Sequence, residues 1–191
     1  PISIGGLPFV HSGDTSYCTD LYDEECPYSG SNSPEAVYAI VASRYQVMQI
    51  DLCASDYDTK LYVYENEVTA GDPYACNDDG CPGSPPESYR SILEQVEMTA
   101  GNTYYVIIDG WGGDSGQYAL DVQDVTPRTA GDLNCDGSVD FMDINPFVAA
   151  LSSPEAWQAA NPTCNLMNAD TNDDGIVDFR DINPFVSLLT P

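Results

Sequence analysis

The chain has 191 residues, with 31 acidic against 5 basic side chains and a formal charge of −26. That balance excludes nucleic acid as a partner, because a phosphate-binding surface needs clustered Lys and Arg to displace counterions. Seven cysteines in an acidic chain beginning at proline point to an exported, processed protein in an oxidising compartment, and no apolar run approaches the roughly 20 residues of a membrane-spanning helix.

Pro1 to Val10 (PISIGGLPFV) is apolar and extended in character, able to pair with the edge of its own sheet or to add a strand to a neighbour. His11, the single histidine, lies in an N-terminal stretch rich in turn residues, with no motif placing it beside a serine or cysteine nucleophile. Cys18 with Cys26 and Cys76 with Cys81 are the expected bridges, since each closes a short loop, and Cys53 is left over. Up to about residue 125, apolar and polar residues alternate in short runs broken by Gly, Pro, Asn and Asp. Strands are expected at Ala36 to Ala42, through Met48, Ile50 and Leu52, through Leu61 and Val63, at Ser91 to Met98 and Thr103 to Asp109, and through Tyr118, Leu120 and Val122. Their number and spacing predict an all-β sandwich with two inner faces around one core.

Within this region stand Asp56-x-Asp58-Thr59-x-Leu61-x-Val63-Tyr64, then Ala75-Cys76-Asn77-Asp78-Asp79, then Ala100-Gly101-x-x-Tyr104-Tyr105-Val106-Ile107-Ile108-Asp109-Gly110, then Gly116-x-Tyr118-x-Leu120. Over roughly residues 35 to 125 the chain thereby resembles the bacterial pre-peptidase C-terminal (PPC) domain family. The resemblance implies a jelly-roll-like β-sandwich with a non-catalytic accessory role, some relatives binding calcium, collagen or carbohydrate. Asp56, Asp58, Asn77, Asp78 and Asp79 either converge on a cation or satisfy local backbone as turn residues. Trp111, in the glycine-rich tip 110–116, either stands out to stack on a sugar or anchor a protein, or folds back on the sheet. A short proline-containing linker at 126–130 then separates the 1–125 domain from a second domain, residues 131–191, and should hold the two close.

The second domain contains a duplication. Asp132 to Val148 (DLNCDGSVDFMDINPFV) and Asp170 to Val186 (DTNDDGIVDFRDINPFV) are offset by 38 residues and identical at 13 of 17 positions. Each copy places an oxygen side chain at loop positions 1, 3, 5, 9 and 12 and glycine at position 6, the spacing that wraps one chain around one calcium ion. In the first loop the side-chain donors are Asp132, Asn134, Asp136 and Asp143, with Asp140 acting through a water, Ser138 offering its carbonyl and Gly137 turning the chain. The second loop repeats the plan with Asp170, Asn172, Asp174 and Asp181, Asp178 through a water, the carbonyl of Ile176, and Gly175. An Asx-rich turn before a capped helix is the competing account of the same residues.

Aspartate at position 12, where the common EF-hand has glutamate, and the absence of a helix before the first loop give this segment its resemblance to a dockerin, the calcium-dependent docking module of extracellular bacterial assemblies. The resemblance implies a small α-helical module of two EF-hand-type calcium loops in a near two-fold arrangement, with a protein partner on its helical face. Asn145-Pro146 and Asn183-Pro184 depart from the family pattern, so either asparagine caps a helix starting at proline, or a helix already begun is kinked. Phe147, Val148 and Leu151, matched by Phe185, Val186 and Leu189, are expected to form the shared core. A connector helix opens at Ser153-Pro154-Glu155 and ends before Asn161-Pro162, and Cys135 and Cys164 flank it as a further bridge.

Residues 131–191 carry 10 acids against one base, a charge of −9, so calcium removal should loosen or unfold the module. No phosphate-cradling glycine loop or transition-metal cluster is present, and carboxylates are too abundant for any pair to mark glycoside hydrolysis. The chain is therefore read as non-catalytic. Its expected role is a secreted structural subunit, extracellular or on a bacterial cell surface, that self-assembles head to tail into a filament or array through the dockerin-like module. The alternatives are an adaptor that docks to a cohesin-like receptor while the β-sandwich holds a carbohydrate or protein target, and a cleaved tail that targets a secreted hydrolase.

Overall fold

A computed structural model describes residues 1–25, 27–69 and 71–189. The chain forms two compact units, one of Pro1–Ala42, Val47–Glu97 and Asn102–Val125, the other of Ser43–Gln46, Met98–Gly101 and Thr126–Pro191. Among the described residues, no helix is long and apolar enough to cross a membrane.

The strands of the first unit are β1 (Ile2–Ser3), β2 (Phe9–Asp14), β3 (Ala36–Val41), β4 (Gln46–Asp51), β5 (Thr59–Glu65), β6 (Ala75–Asp78), β7 (Ile92–Met98), β8 (Thr103–Gly110) and β9 (Gln117–Asp124). They form one sheet in the order β1-β3-β8-β5-β6 and another in the order β2-β9-β4-β7. Alternation sets the core faces: Met48 and Ile50 on β4, and Leu120 and Val122 on β9, are sealed, as are Leu61 and Val63 on β5. The two sheets meet where the Tyr38 hydroxyl of β3 contacts the Tyr118 hydroxyl of β9 and His11 Nδ1 of β2, each at 2.7 Å. The N-terminal segment resolves its two options in favour of its own sheets, since β1 pairs parallel with β3 and β2 antiparallel with β9. His11 is thus a strand residue rather than part of a turn, because its register opposite Leu120 turns it toward Tyr38.

Sequence reading missed β6, and it missed why β5 is buried along both faces. Tyr62 and Tyr64 of β5 and Ile107 of β8 form a second apolar layer, covered by Tyr22, Val37, Val68, Cys76 and Tyr105. Lys60 shares that outer face and is fully buried, its Nζ donating to the carbonyls of Glu24 and Tyr28. The Glu24 carboxylate accepts from the Gly71 amide at 2.8 Å and from the Tyr64 hydroxyl. A buried charged residue near the start of a strand is tolerated here because Glu24 and Tyr28 supply its acceptors.

The expected Cys76–Cys81 bridge is replaced by Cys53–Cys81. Cys76 lies within β6 opposite Tyr62 and packs into the outer layer, whereas Cys81 lies past the strand end with its amide on the Arg90 carbonyl. Cys76 is itself disulfide-bonded, and Cys18 is an exposed free thiol, which overturns the expected bridge to Cys26, a residue outside those described. With its cysteines 28 positions apart, the Cys53–Cys81 loop closure contributes about 3 to 4 kcal/mol.

The second unit contains helices α1 (Ile144–Ser152), α2 (Pro154–Ala160) and α3 (Ile182–Leu188), with short 3-10 turns at Phe141–Asp143, Leu166–Ala169 and Phe179–Asp181. Asn145 and Asn183 are not caps: α1 starts at Ile144 after Asp143, and α3 at Ile182 after Asp181. Each proline is then the third helical residue, where the missing amide is one of the four that no helix bonds internally. Ser153 occupies the cap position of α2 and Pro154 its first turn, although the serine side chain makes no capping bond. The core gathers Leu133, Phe147, Ala150, Trp157, Cys164, Ala169 and Phe185, with the Phe147 and Phe185 rings stacked at 4.0 Å. Cys135–Cys164 forms as expected and closes 29 residues around the connector helix.

Candidate metal loops and the apolar helix face

The two loops repeat one hydrogen-bond scheme. In the first, Asp132 Oδ2 accepts from the Gly137 amide at 3.1 Å, Asn134 Oδ1 from Asp136 at 2.9 Å, and Asp136 Oδ1 from Ser138 at 2.9 Å. In the second, Asp170 Oδ2 accepts from Gly175 at 3.0 Å, Asn172 Oδ1 from Asp174 at 2.9 Å, and Asp174 Oδ1 from Ile176 at 3.0 Å. Gly137 and Gly175 both take positive φ, 88° and 82°, which is why glycine stands at each sixth position. Asp143 and Asp181 are fully buried and reach back across their loops, Asp143 Oδ1 accepting from Leu133 and Asn134 and Asp181 Oδ1 from Asn172. Their second oxygens accept from Asp140 and Asp178, which in turn accept from Met142 and Arg180, giving a reciprocal cap at both helix entries. Ser138 and Ile176 sit exposed at the loop tips.

These bonds belong to an Asx-turn network, but they leave one group unsatisfied. Asp132 is only 4% exposed and its Oδ1 has no partner. A buried carboxylate oxygen without a donor is costly. A hard cation coordinated by oxygen would satisfy it, so the first loop's donor set fits calcium, whereas in the second loop Asp170 Oδ1 accepts from the Asp174 amide at 3.1 Å. The loops differ in their cationic neighbours. Arg128 lies 3.7 Å from Asp170 and 2.6 Å from Asp173 and donates to the Asp170 carbonyl, while Arg180 lies 3.5 Å from Asp178. The first loop has Met142 where the second has Arg180, and no ion pair involving the first loop occurs among the described residues.

The expected core stripe splits. Phe147 and Phe185 turn inward, whereas Val148 and Val186 are 56% and 51% exposed. One step along a helix rotates a side chain by about 100°, so both residues cannot face the same core. With Ile144, Ile182 and Phe179, the outward valines line an almost wholly apolar groove of about 340 Å³ between α1 and α3. Phe141 and Phe179 are 74% and 77% exposed. Sequence reading passed over them, although the repeat itself marks them: each is the loop's tenth residue, between the proposed ligand positions 9 and 12 and outside the helical stripe.

In the first unit, Asp58, Asp78 and Asp79 converge, with one carboxylate oxygen from each within 4.8 Å of the others. Asn77 and Asp56 do not join them. Asn77 Oδ1 accepts from the Ile92 amide at 3.0 Å, and Asp56 Oδ1 packs against Gly116. Trp111 takes a middle course between its two expected positions, half exposed, with Nε1 donating to the Ser29 carbonyl at 3.2 Å.

Burial also acts on Asp109, which is fully enclosed and accepts from the Gly110 amide at 2.7 Å and the Tyr62 hydroxyl at 3.3 Å. Loss of water pushes its carboxyl up to about 8. Glu35 moves up to about 7 for the same first reason. Both groups hold a proton in the folded chain over a range where the unfolded chain has released it, so their contribution to stability is complete below about pH 4 and is lost as pH rises through about 8. Asp109→Asn should flatten this decline, a result read from urea midpoints at acid and mildly alkaline pH. An unchanged slope in the variant would remove Asp109 from the account.

No family model matches the chain, and no curated protein matches it. Among solved structures, the pre-peptidase C-terminal domain of a collagenase from Bacillus anthracis is similar with a TM-score of 0.44 and 15% identity, over 64% of this chain and 93% of that one.

Proposed function

We propose that this protein is a non-catalytic, extracellular, calcium-binding assembly subunit. Two disulfides between described cysteines support the oxidising compartment. Calcium, held by Asp132, Asn134, Asp136, Ser138, Asp140 and Asp143 and by their counterparts Asp170, Asn172, Asp174, Ile176, Asp178 and Asp181, would neutralise clustered carboxylates and fix the helices that follow. The observation that carries the docking function is the apolar groove between α1 and α3, where valine, isoleucine and phenylalanine stand exposed on a unit otherwise crowded with acids. Its occupant is another copy of the chain, contacted head to tail, and such a contact propagates unless rotation closes it. The first unit offers Val10 and Val41, 73% and 64% exposed, as apolar surface for that contact.

Sedimentation in millimolar calcium tests the reading. Large species should form with calcium and dissolve on chelation, and association should strengthen as salt screens the shared negative charge. Val148→Asp with Val186→Asp should abolish association by at least tenfold while leaving the fold intact, because both side chains are already half exposed. A monomer at every accessible concentration in calcium would overturn self-assembly and direct the search to a separate receptor on the same groove.

A further inference from the structure

Three carboxylates meet at neighbouring strand ends in the first unit. Asp58 immediately precedes β5, Asp78 closes β6, and Asp79 follows it at a φ of 64°. Pairing of Lys60 with Asp78 in the β5–β6 ladder brings the strand ends together, and this juxtaposes the three carboxylates. Asp78 is 7% exposed, yet its carboxylate accepts no hydrogen bond from any described residue. Asp58 Oδ1 is sealed from solvent and equally without a partner. The nearby ammonium of Lys60 is committed elsewhere, to the carbonyls of Glu24 and Tyr28. Buried acceptors of this kind are normally satisfied, and three acceptor-only groups cannot satisfy one another.

We propose that Asp58, Asp78 and Asp79 bind a calcium ion. The donors are all carboxylate oxygens, without imidazole or thiolate, a set that suits a hard cation over zinc or copper. Oxygens within 4.8 Å of one another can share one ion at the roughly 2.3 to 2.6 Å that calcium requires. Asp78 and Asp79 open onto a cavity of about 530 Å³ walled by Tyr28, Tyr89 and Trp111, which leaves room for waters to complete the coordination.

Calcium stoichiometry by equilibrium dialysis, with terbium luminescence excited through tryptophan, separates this centre from the repeats. A chain carrying Asp132→Ala and Asp170→Ala should retain one calcium ion per molecule. Adding Asp78→Asn, or Asp79→Asn should the first fail to fold, should remove that ion. The terbium signal of the retained ion should fall severalfold in Trp111→Phe, because Trp111 lines the cavity. The inference is overturned if the Asp132→Ala, Asp170→Ala chain binds no calcium while its sandwich is folded, or if Asp78→Asn and Asp79→Asn leave the retained ion in place. Loss of the repeats' calcium alone would count against the assembly reading and leave this centre standing.

Discussion

Removing calcium with a chelator is expected to unfold the second unit, and Trp157 will report it. This residue is 2% exposed in the core, and the chain has one other tryptophan, Trp111, so a Trp111→Phe background leaves a single reporter. The expectation rests on charge and size. Residues 131–191 hold 10 acids against one base, and four of the acids, Asp132, Asp143, Asp170 and Asp181, are no more than 4% exposed. Without metal, their repulsion and desolvation must be offset by a small core. An ion present at a thousandfold over its dissociation constant stabilises the folded state by about 4 kcal/mol, and two ions by about 8. That is comparable to the whole stability of an ordinary domain, about 5 to 15 kcal/mol. Chelation should therefore shift Trp157 emission to the red and lower the thermal midpoint of this unit by tens of degrees. Emission and midpoint that do not move would show that the Asx turns suffice without metal.

Phe147→Ala should have the next largest effect. Its ring stacks on Phe185 at 4.0 Å with planes 4° apart, and both residues are almost fully buried. Deleting a buried phenylalanine costs about 3 to 5 kcal/mol once the residual cavity is included. With folding coupled to the binding of two ions, as proposed, that loss should raise the calcium concentration needed for folding by roughly 10- to 10²-fold. Val148→Ala, one residue along the same helix and 56% exposed, should change it little, by less than about 0.5 kcal/mol. Calcium titrations of Trp157 fluorescence compare the two. Equal shifts in both variants would mean that the helix is oriented differently from the structure described.

The repeats were legible because the turn of one continuous loop is a local problem. Positions 1 to 12 of each loop come from one stretch of chain, so spacing alone exposes the repeated turn in which the first aspartate accepts from the sixth-position glycine. The strands through Met48, Ile50 and Leu52 and through Tyr118, Leu120 and Val122 were legible for a related reason, since a period of two records which face is dry. Cys135–Cys164 could be paired because both cysteines flank one short connector.

Other features depend on neighbours that arrive from distant sequence. β6 carries no alternation, because Cys76 and Asp78 answer to an outer layer and an acidic cluster rather than to a core and solvent. Short-loop reasoning paired Cys76 with Cys81, but strand direction separates their side chains and delivers Cys53 instead. Lys60 reads as a surface residue until the 20–31 segment lays its carbonyls over it. In the same way, the apolar stripe after each loop named its residues correctly yet could not decide that Phe147 enters the core and Val148 the groove. Periodicity by itself determined the two repeated Asx-rich loops, the helices after them and the alternating strands, since each is encoded within a few consecutive residues. Tertiary structure alone decided the sheet order, the Cys53 bridge, the meeting of Asp58 with Asp78 and Asp79, and the outward face of α1 and α3, because each follows from which remote surfaces exclude water together.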